Sequence, residues 1–296
     1  PLGISMAAIS FPVIVVPVFN AHDALDICLG SLLKTLPANA RVLLADDAST
    51  DPRIPDLLLQ FKRRASFDVT IARRDMNLGF PGNCNAAFRE TGDSDVLLLN
   101  SDAIFTRACL EKITQCASTD TKIATITPWS NNAEICSFPK FCENNPLPDN
   151  LELMAEAAAL ISASEFPELP TAMGFCMWIR RAALRQCGNF DAETFGRGYG
   201  EENDFCRRVA AMGWRNVMCV NAYVAHSGSA SFGPIGLGPG GDNLQRLLVR
   251  WPDYHEQVAR FILDDPLREL RDRFSANILD IQNRGPQGDL FGALGS

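Results

Sequence analysis

The ten cysteines contain no C-x-x-C pair, and without that spacing a zinc ribbon or finger has no ligand framework. Long apolar runs are missing as well. The longest stretch, Phe11 to Phe19, is interrupted by Pro12 and Pro17 and falls short of the roughly 18 residues that a membrane-spanning helix requires. Nor is there a basic excess. Lys and Arg number 27 against 35 Asp and Glu, a net charge of −8. That is the wrong sign for a nucleic-acid binder, which must neutralise phosphates, and for a polybasic membrane anchor. No secretory signal pattern opens the chain. Pro1-Leu2-Gly3 resembles a protease-site scar, and residues 1–10 are set aside as scar and leader. Histidine is scarce, at three.

What is present is enough apolar material, 47% of 296 residues, to build a full core without covalent staples. Cys28, Cys176 and Cys219 lie inside apolar stretches and read as small buried hydrophobes in a reducing compartment. A cytoplasmic protein is expected, peripheral at most to the inner face of a membrane.

The first half alternates strand-like and helix-like segments. Phe11 to Phe19, Arg41 to Ala45, Asp68 to Ala72 and Val96 to Leu99 are short apolar, β-branched runs suited to strands buried on both faces. Between them, Ala24 to Leu36, Pro55 to Arg64 and Gly82 to Glu90 carry apolar residues at helical spacing. Alternation at this pitch predicts βαβ units and a mostly parallel sheet. The second half is less regular. Pro128 to Asn150, rich in Asn and Pro, reads as a long loop. Helices are predicted at Leu151 to Ser164, Arg181 to Cys187 and Glu201 to Met212, with strands at Ala172 to Ile179 and Asn216 to Ala225. Ser227 to Gly241 reads as a Gly/Ser loop, and residues 242–296 as a helical extension. Leu244, Leu247, Leu248 and Trp251 give that extension an apolar face, fit for packing on the domain, on a second copy or on a further domain.

On open α/β sheets ligands bind beyond the carboxyl ends of the strands, and polar residues gather there: Asn20 after the first strand, Asp46-Asp47-Ala48-Ser49-Thr50-Asp51 after the second, Asn100-Ser101-Asp102 after the fourth, and His226 after a later one. Each alone would pass for a turn or helix cap. Four at one edge indicate a site.

The run PVFN, DDASTD, NLGFPGNCN, LLLNSDA, GFCMWIRR, GNFD, GYGEENDFCRR, VAHSGSASF resembles glycosyltransferase family 2, across about residues 11 to 233 and in the family's order. The subgroup with the NLGF and NSD motifs is similar to bacterial rhamnosyl- and related transferases of surface polysaccharide synthesis. The resemblance implies a GT-A fold: a Rossmann-like, mostly parallel sheet flanked by helices, with a nucleotide-binding half at 11–127, a smaller acceptor and catalytic half at 128–241, and the helical tail. It implies inverting transfer of a sugar from a nucleotide-diphosphate donor to a hydroxyl of a glycan or lipid-linked acceptor, with Mn²⁺ or Mg²⁺.

Carried over residue by residue, Asp102 matches the metal-binding carboxylate and His226 the histidine that completes the metal site, a donor set that suits Mn²⁺ or Mg²⁺. Asn100 stands where the family has Asp. Pro17, Phe19, Asn20, Asp46, Asp47 and Arg74 match the nucleotide pocket. Asn77, Gly79, Phe80 and Asn83 match the loop and helix closing over it. Asn100 and Ser101 would face the donor, and Gly174 would leave room for the sugar. Glu202 matches the catalytic base, with Glu in place of the usual Asp; Glu201 would orient the acceptor, and Asp204 shares their helix. Ser229, Ser231 and Phe232 would form a lid. His22 and His255 match no motif. Two other readings stay open: a nucleotidyltransferase, against which the first strand lacks a Gly-rich pyrophosphorylase-like signature, and a non-catalytic nucleotide-sugar- or partner-binding module with a degenerate site.

Overall fold

The computed structural model describes residues 10–162, 166–228 and 242–284. A seven-stranded sheet forms its centre, in the order β3-β2-β1-β4-β7-β6-β8. The strands are β1 (Val13–Val18), β2 (Arg41–Asp46), β3 (Asp68–Arg73), β4 (Val96–Leu99), β6 (Ile123–Trp129), β7 (Cys176–Ile179) and β8 (Arg215–Tyr223); β5 (Ala103–Ile104) and β9 (Ala225–His226) pair separately as a small antiparallel ribbon. Strands β1 to β4 are mutually parallel, β6 is parallel to β8, and β7 runs antiparallel to both of its neighbours. The helices are α1 (His22–Thr35), α2 (Arg53–Arg64), α3 (Gly79–Glu90), α4 (Cys109–Thr119), α5 (Leu151–Ala159), α6 (Arg181–Cys187), α7 (Ala192–Phe195), α8 (Glu201–Ala211), α9 (Asp242–Arg250), α10 (Tyr254–Asp264) and α11 (Arg268–Arg284).

Strand pleating divides the core into two layers. Along β1, Ile14, Val16 and Val18 face one side, where Leu25, Leu29 and Leu32 of α1 and Ile54, Leu58 and Phe61 of α2 meet them. Val13 and Val15 face the other side, against Cys84 and Phe88 of α3 and Phe205 of α8. Because side chains alternate across a strand, the β-branched run satisfies both layers at once. Each fully buried Leu, Ile or Phe contributes about 1.5–3 kcal/mol. In α2 the i, i+3, i+4, i+7 row of Ile54, Leu57, Leu58 and Phe61 is buried, while Lys62, Arg63 and Arg64 occupy the last turn and complement the helix dipole.

Two elements go beyond the expectation. Helix α4 and strand β6 occupy the stretch before the Asn/Pro-rich segment, and β6 reaches Trp129, inside the predicted loop. Pro128 is accommodated because the β6–β8 register shifts between Pro128 and Trp129, an irregularity where a missing N–H is tolerated. The remaining loop is held by a 3₁₀ turn at Glu134–Cys136 and by Asn131 and Asn145, whose side-chain amides each donate to the other's backbone carbonyl (3.0 and 3.1 Å).

The C-terminal helices pack onto the domain itself. Phe274 of α11 is fully buried, stacked on Phe138 with ring centroids 4.0 Å apart and tilted against Trp129. Leu247 of α9 and Tyr254 of α10 enclose Phe195 of α7, with Leu244, Leu248 and Trp251 around them. Among the described residues no helix is long and apolar enough to cross a membrane.

Candidate active site

The strand order reverses between β1 and β4, the topological switch point where open α/β sheets bind ligands. A cavity of about 790 Å³ opens there. One wall comes from the parallel half: Pro17 to Phe19 beyond β1, Asp47 beyond β2, Asn77 to Phe80 and Asn83 at the start of α3, and Asn100 to Asp102 beyond β4. The opposite wall comes from Gly174 and Phe175, from Gly196, Arg197 and Tyr199, and from Glu201, Glu202 and His226.

The two aspartates after β2 separate. Asp47 lines the cavity; its Oδ1 accepts from the Leu78 amide at 2.7 Å, fixing the entry to α3. Burial pushes its carboxyl up, against the lowering effect of the Leu78 and Gly79 amides. Asp46 points elsewhere. It is fully buried and accepts from the Ser49 amide (2.9 Å) and from Arg73 Nη1 (2.6 Å), which closes the turn after β2. Asn20 is also a scaffold: its Oδ1 caps the Thr50 and Asp51 amides at 2.8 and 2.9 Å. Arg74 lies behind the wall, pairing with Glu90 and donating to Asn83 Oδ1 at 2.9 Å, while Asn83 Nδ2 holds the Ala45 carbonyl. Asp46, Asn20 and Arg74, expected at the nucleotide pocket, do not line the cavity; local turns and the α3 anchor hold their polar atoms.

The β5–β9 ribbon pairs Ala103 with His226 and so brings two residues 124 positions apart in sequence, Asp102 and His226, to 3.2 Å (Oδ1 to Nε2). The other ring nitrogen, Nδ1, is 2.8 Å from the Asn132 carbonyl, which assigns the proton to Nδ1 and turns Nε2 toward Asp102. Asn131 clamps the His226 backbone through both its amide and its carbonyl, and Phe175 stacks on the ring at 5.2 Å. Burial disfavours the imidazolium, but the Asp102 carboxylate and the Asn132 carbonyl outweigh it and hold the His226 pKa above the ordinary value. The side-chain oxygen of Asn100 is buried with no hydrogen-bond partner in the protein. A hard oxygen, an imidazole and this orphaned amide oxygen fit a divalent cation of the Mn²⁺ type. Among the described residues no group of three or more His, Cys, Asp or Glu is placed to hold a metal, so the remaining positions would fall to a ligand or water.

Facing this corner is the N-terminus of α8. The segment before it carries positive φ at Gly196 (57°), Gly198 (131°), Tyr199 (68°) and Gly200 (108°). At Gly200 a Cβ would lie 2.8 Å from the Phe195 ring, so glycine is required by both conformation and space. The turn delivers Glu201 and Glu202 into the cavity wall. Glu201 is 2% exposed; burial, followed by the charge of Glu202 and a hydrogen bond to it, raises its carboxyl well above the ordinary range. One carboxylate oxygen of each is buried without a further partner. The raised Glu201 carboxyl favours its protonated form, which can donate to the neighbouring Glu202. Gly174 lines the cavity beside the pair, and a Cβ there would come within 3.3 Å of Glu202 Oε1.

Asp204 requires correction too. About 200° round the helix from Glu202, it is fully buried and accepts from Arg208 Nε (2.8 Å), Arg250 Nη1 (2.9 Å) and Trp251 Nε1 (3.0 Å). It anchors α9 and does not reach the cavity. Arg197, Tyr199 and Glu134 line the cavity although no motif drew attention to them individually; the Gly-Tyr-Gly spacing was the available signal. His22 pairs with Asp23, and His255 is exposed. Ser229, Ser231 and Phe232 lie outside the described residues.

The family model for glycosyl transferase family 2 matches residues 13–188. A 92-residue stretch is 35% identical to a poly(ribitol-phosphate) beta-glucosyltransferase of Bacillus spizizenii, covering 30% of this chain and 14% of that protein. In fold, the chain is similar to GalNAc-T7 solved with UDP, GalNAc and Mn²⁺ (TM-score 0.61, 15% identity, 90% of this chain and 54% of that one). It is also similar to the mannosyltransferase PcManGT of Pyrobaculum calidifontis solved with GDP-Man and Mn²⁺ (TM-score 0.55, 14% identity, 93% and 76%). Both are GT-A glycosyltransferases, and with more than half its length matched by the family model, the chain belongs to glycosyl transferase family 2.

Proposed function

We propose that the chain is an inverting, metal-dependent glycosyltransferase with Glu202 as its base. The observation that carries the reading is the meeting, across one cavity at the β1/β4 switch point, of the Asp102–His226 pair and the Glu201–Glu202 pair. The donor, a nucleotide-diphosphate sugar, lies along Pro17, Phe19, Asp47 and Asn77 in the half spanning 11–127. Asp102 and His226 hold a divalent cation, with Asn100 and Ser101 beside it; when bound, it takes up charge on the departing diphosphate. Mn²⁺ in the two similar structures supports that choice. Arg197, at the cavity wall without an ion pair among the described residues, adds a cation toward phosphate or an anionic acceptor.

Glu202 accepts the proton of the acceptor hydroxyl while that oxygen attacks the anomeric carbon from the face opposite the diphosphate. The bond from that carbon to the phosphate oxygen breaks with the electron pair leaving on the nucleoside diphosphate, and configuration inverts. Glu201, whose carboxyl burial pushes up, is in reach of the base and in its protonated form donates to the Glu202 carboxylate. The likeness to a poly(ribitol-phosphate) beta-glucosyltransferase supports an acceptor among bacterial surface polymers, a glycan or lipid-linked chain at the inner face of the membrane.

The test is turnover of UDP-glucose, UDP-GalNAc and GDP-mannose with Mn²⁺, followed by proton NMR of the product anomer. Release of the nucleoside diphosphate with inversion, reduced about 10²–10⁴-fold in Glu202→Gln, is expected. Retention at the anomeric centre, or equal rates in Glu202→Gln, would contradict the mechanism.

A further inference from the structure

The Gly196–Gly200 turn is built mostly from residues with wide backbone freedom. Four of its five residues have positive φ, three of them glycines whose backbone is free to move elsewhere. Its backbone is tied to the adjoining helices by Gly196 N on the Ala192 carbonyl, Gly198 N on the Phe195 carbonyl and Asp204 N on the Gly200 carbonyl. Yet this turn sets where α8 begins, and so where Glu202 stands.

A tether that reaches both ends of the turn comes from the C-terminal extension. Asn243 Nδ2 donates to two turn carbonyls at once, Phe195 O at 2.8 Å and Gly198 O at 2.7 Å. Arg246 Nη1 donates to the Thr194 carbonyl at 2.5 Å. Arg250 bridges the segment before the turn and the helix after it, with Nη2 on Asp191 Oδ2 (2.8 Å) and Nη1 on Asp204 Oδ1 (2.9 Å). Gly200 is flanked by the Phe195 ring and the Asn243 carbonyl. On the far side the turn abuts the start of α3: a Cβ on Gly79 would lie 2.7 Å from Gly196 O, and Phe80 N donates to Arg197 O. No residue of α9 lines the cavity, so whatever it contributes passes through the turn.

We infer that α9 is a clamp that fixes the reacting position of Glu202, with Asn243 and Arg250 as positioning residues. The inference rests on the reading of Glu202 as the base. It gives the extension a part in chemistry that its position outside the family-matched region would not suggest.

The test compares wild type, Asn243→Ala and the near-isosteric Asn243→Asp in the full chain. Measured are kcat on whichever of UDP-glucose, UDP-GalNAc or GDP-mannose wild type turns over, and Kd for the corresponding diphosphate with Mn²⁺. Both variants are expected to lose kcat by about 10²-fold, the effect of a displacement of about 1 Å, with Kd within about twofold and amide exchange accelerated at 195–201. Asn243→Asp keeps the shape but offers an acceptor to two carbonyls, so wild-type kcat in Asn243→Asp overturns the clamp. So does a parallel loss of kcat and nucleotide affinity, which marks general loosening. Should the Asn243 variants not fold, Arg250→Lys, which keeps a cation but cannot bridge both aspartates, carries the same expectation. A wild type that turns over no donor, or a Glu202→Gln variant as fast as wild type, overturns the function reading and the clamp with it. Normal wild-type turnover with unaffected Asn243 and Arg250 variants overturns the clamp alone.

Discussion

At the scale of single residues, the acidic run Glu201-Glu202-Asn203-Asp204 shows how environment separates side chains of one chemical type. Glu202 faces the cavity, Glu201 is buried against it, and Asp204 is consumed by two arginines and an indole. Removing Asp204 takes a buried acceptor from Arg208, Arg250 and Trp251, but Arg250 keeps Asp191 and Arg208 keeps the carbonyls of residues 187–189, so Asp204→Ala should cost about 1–3 kcal/mol of stability, measured by denaturant unfolding; a loss within experimental error would mean the ion pairs do not form. Glu201 makes stability depend on pH. Its raised pKa means that the folded protein holds a proton the unfolded chain releases, so this contribution is complete below the ordinary Glu value of about 4.3 and is lost as pH rises through the raised one. Wild type should therefore lose thermal stability toward alkaline pH relative to Glu201→Gln, and parallel curves would place Glu201 outside the buried pair. The sequence made the acids visible, but not this division. Arg250 lies 46 positions beyond Asp204, and only the packing of α9 brings them together.

At the scale of elements, the alternating first half was legible because each strand there is a short β-branched run and each helix an apolar stripe. Helix α4 and strand β6 were not. The helix CLEKITQCAST buries two cysteines with its leucine and isoleucine, and β6 has a proline as its penultimate residue and runs into an asparagine-rich loop, so turn chemistry masked the strand. Of the polar residues singled out at strand ends, Asp47, Asn100, Ser101, Asp102 and His226 line one cavity, whereas Asn20, Asp46 and Arg74 pack into the turns behind it. For the turn before α8, Gly200→Ala adds a Cβ at φ 108° within 2.8 Å of Phe195. It should cost about 1–3 kcal/mol and depress turnover more than nucleotide binding. Comparable losses in both would show that the turn serves the whole cavity.

For the whole molecule, the sheet joins both predicted halves in one layer, and the extension closes two sides of it. Truncating the buried aromatic of α11, Phe274→Ala, should cost about 3–5 kcal/mol in equilibrium unfolding with a single transition; a separate early transition would mark the tail as an independent unit. The apolar stripe on α9 was legible as a packing face, but its addressee was not, because an amphipathic helix looks the same whether it covers its own domain or another.

In the proposed enzyme one cavity holds a nucleoside diphosphate through a cation on Asp102 and His226. Calorimetric titration of UDP, GDP, dTDP and CDP, each with Mn²⁺, Mg²⁺ or EDTA, tests it on wild type, Asp102→Ala and His226→Ala. The account predicts binding of one nucleotide that needs the cation, disappears in both variants, and weakens as pH falls through the raised His226 value, since a protonated ring cannot ligate. Binding that survives EDTA and both substitutions, or no binding of any of the four, would contradict it.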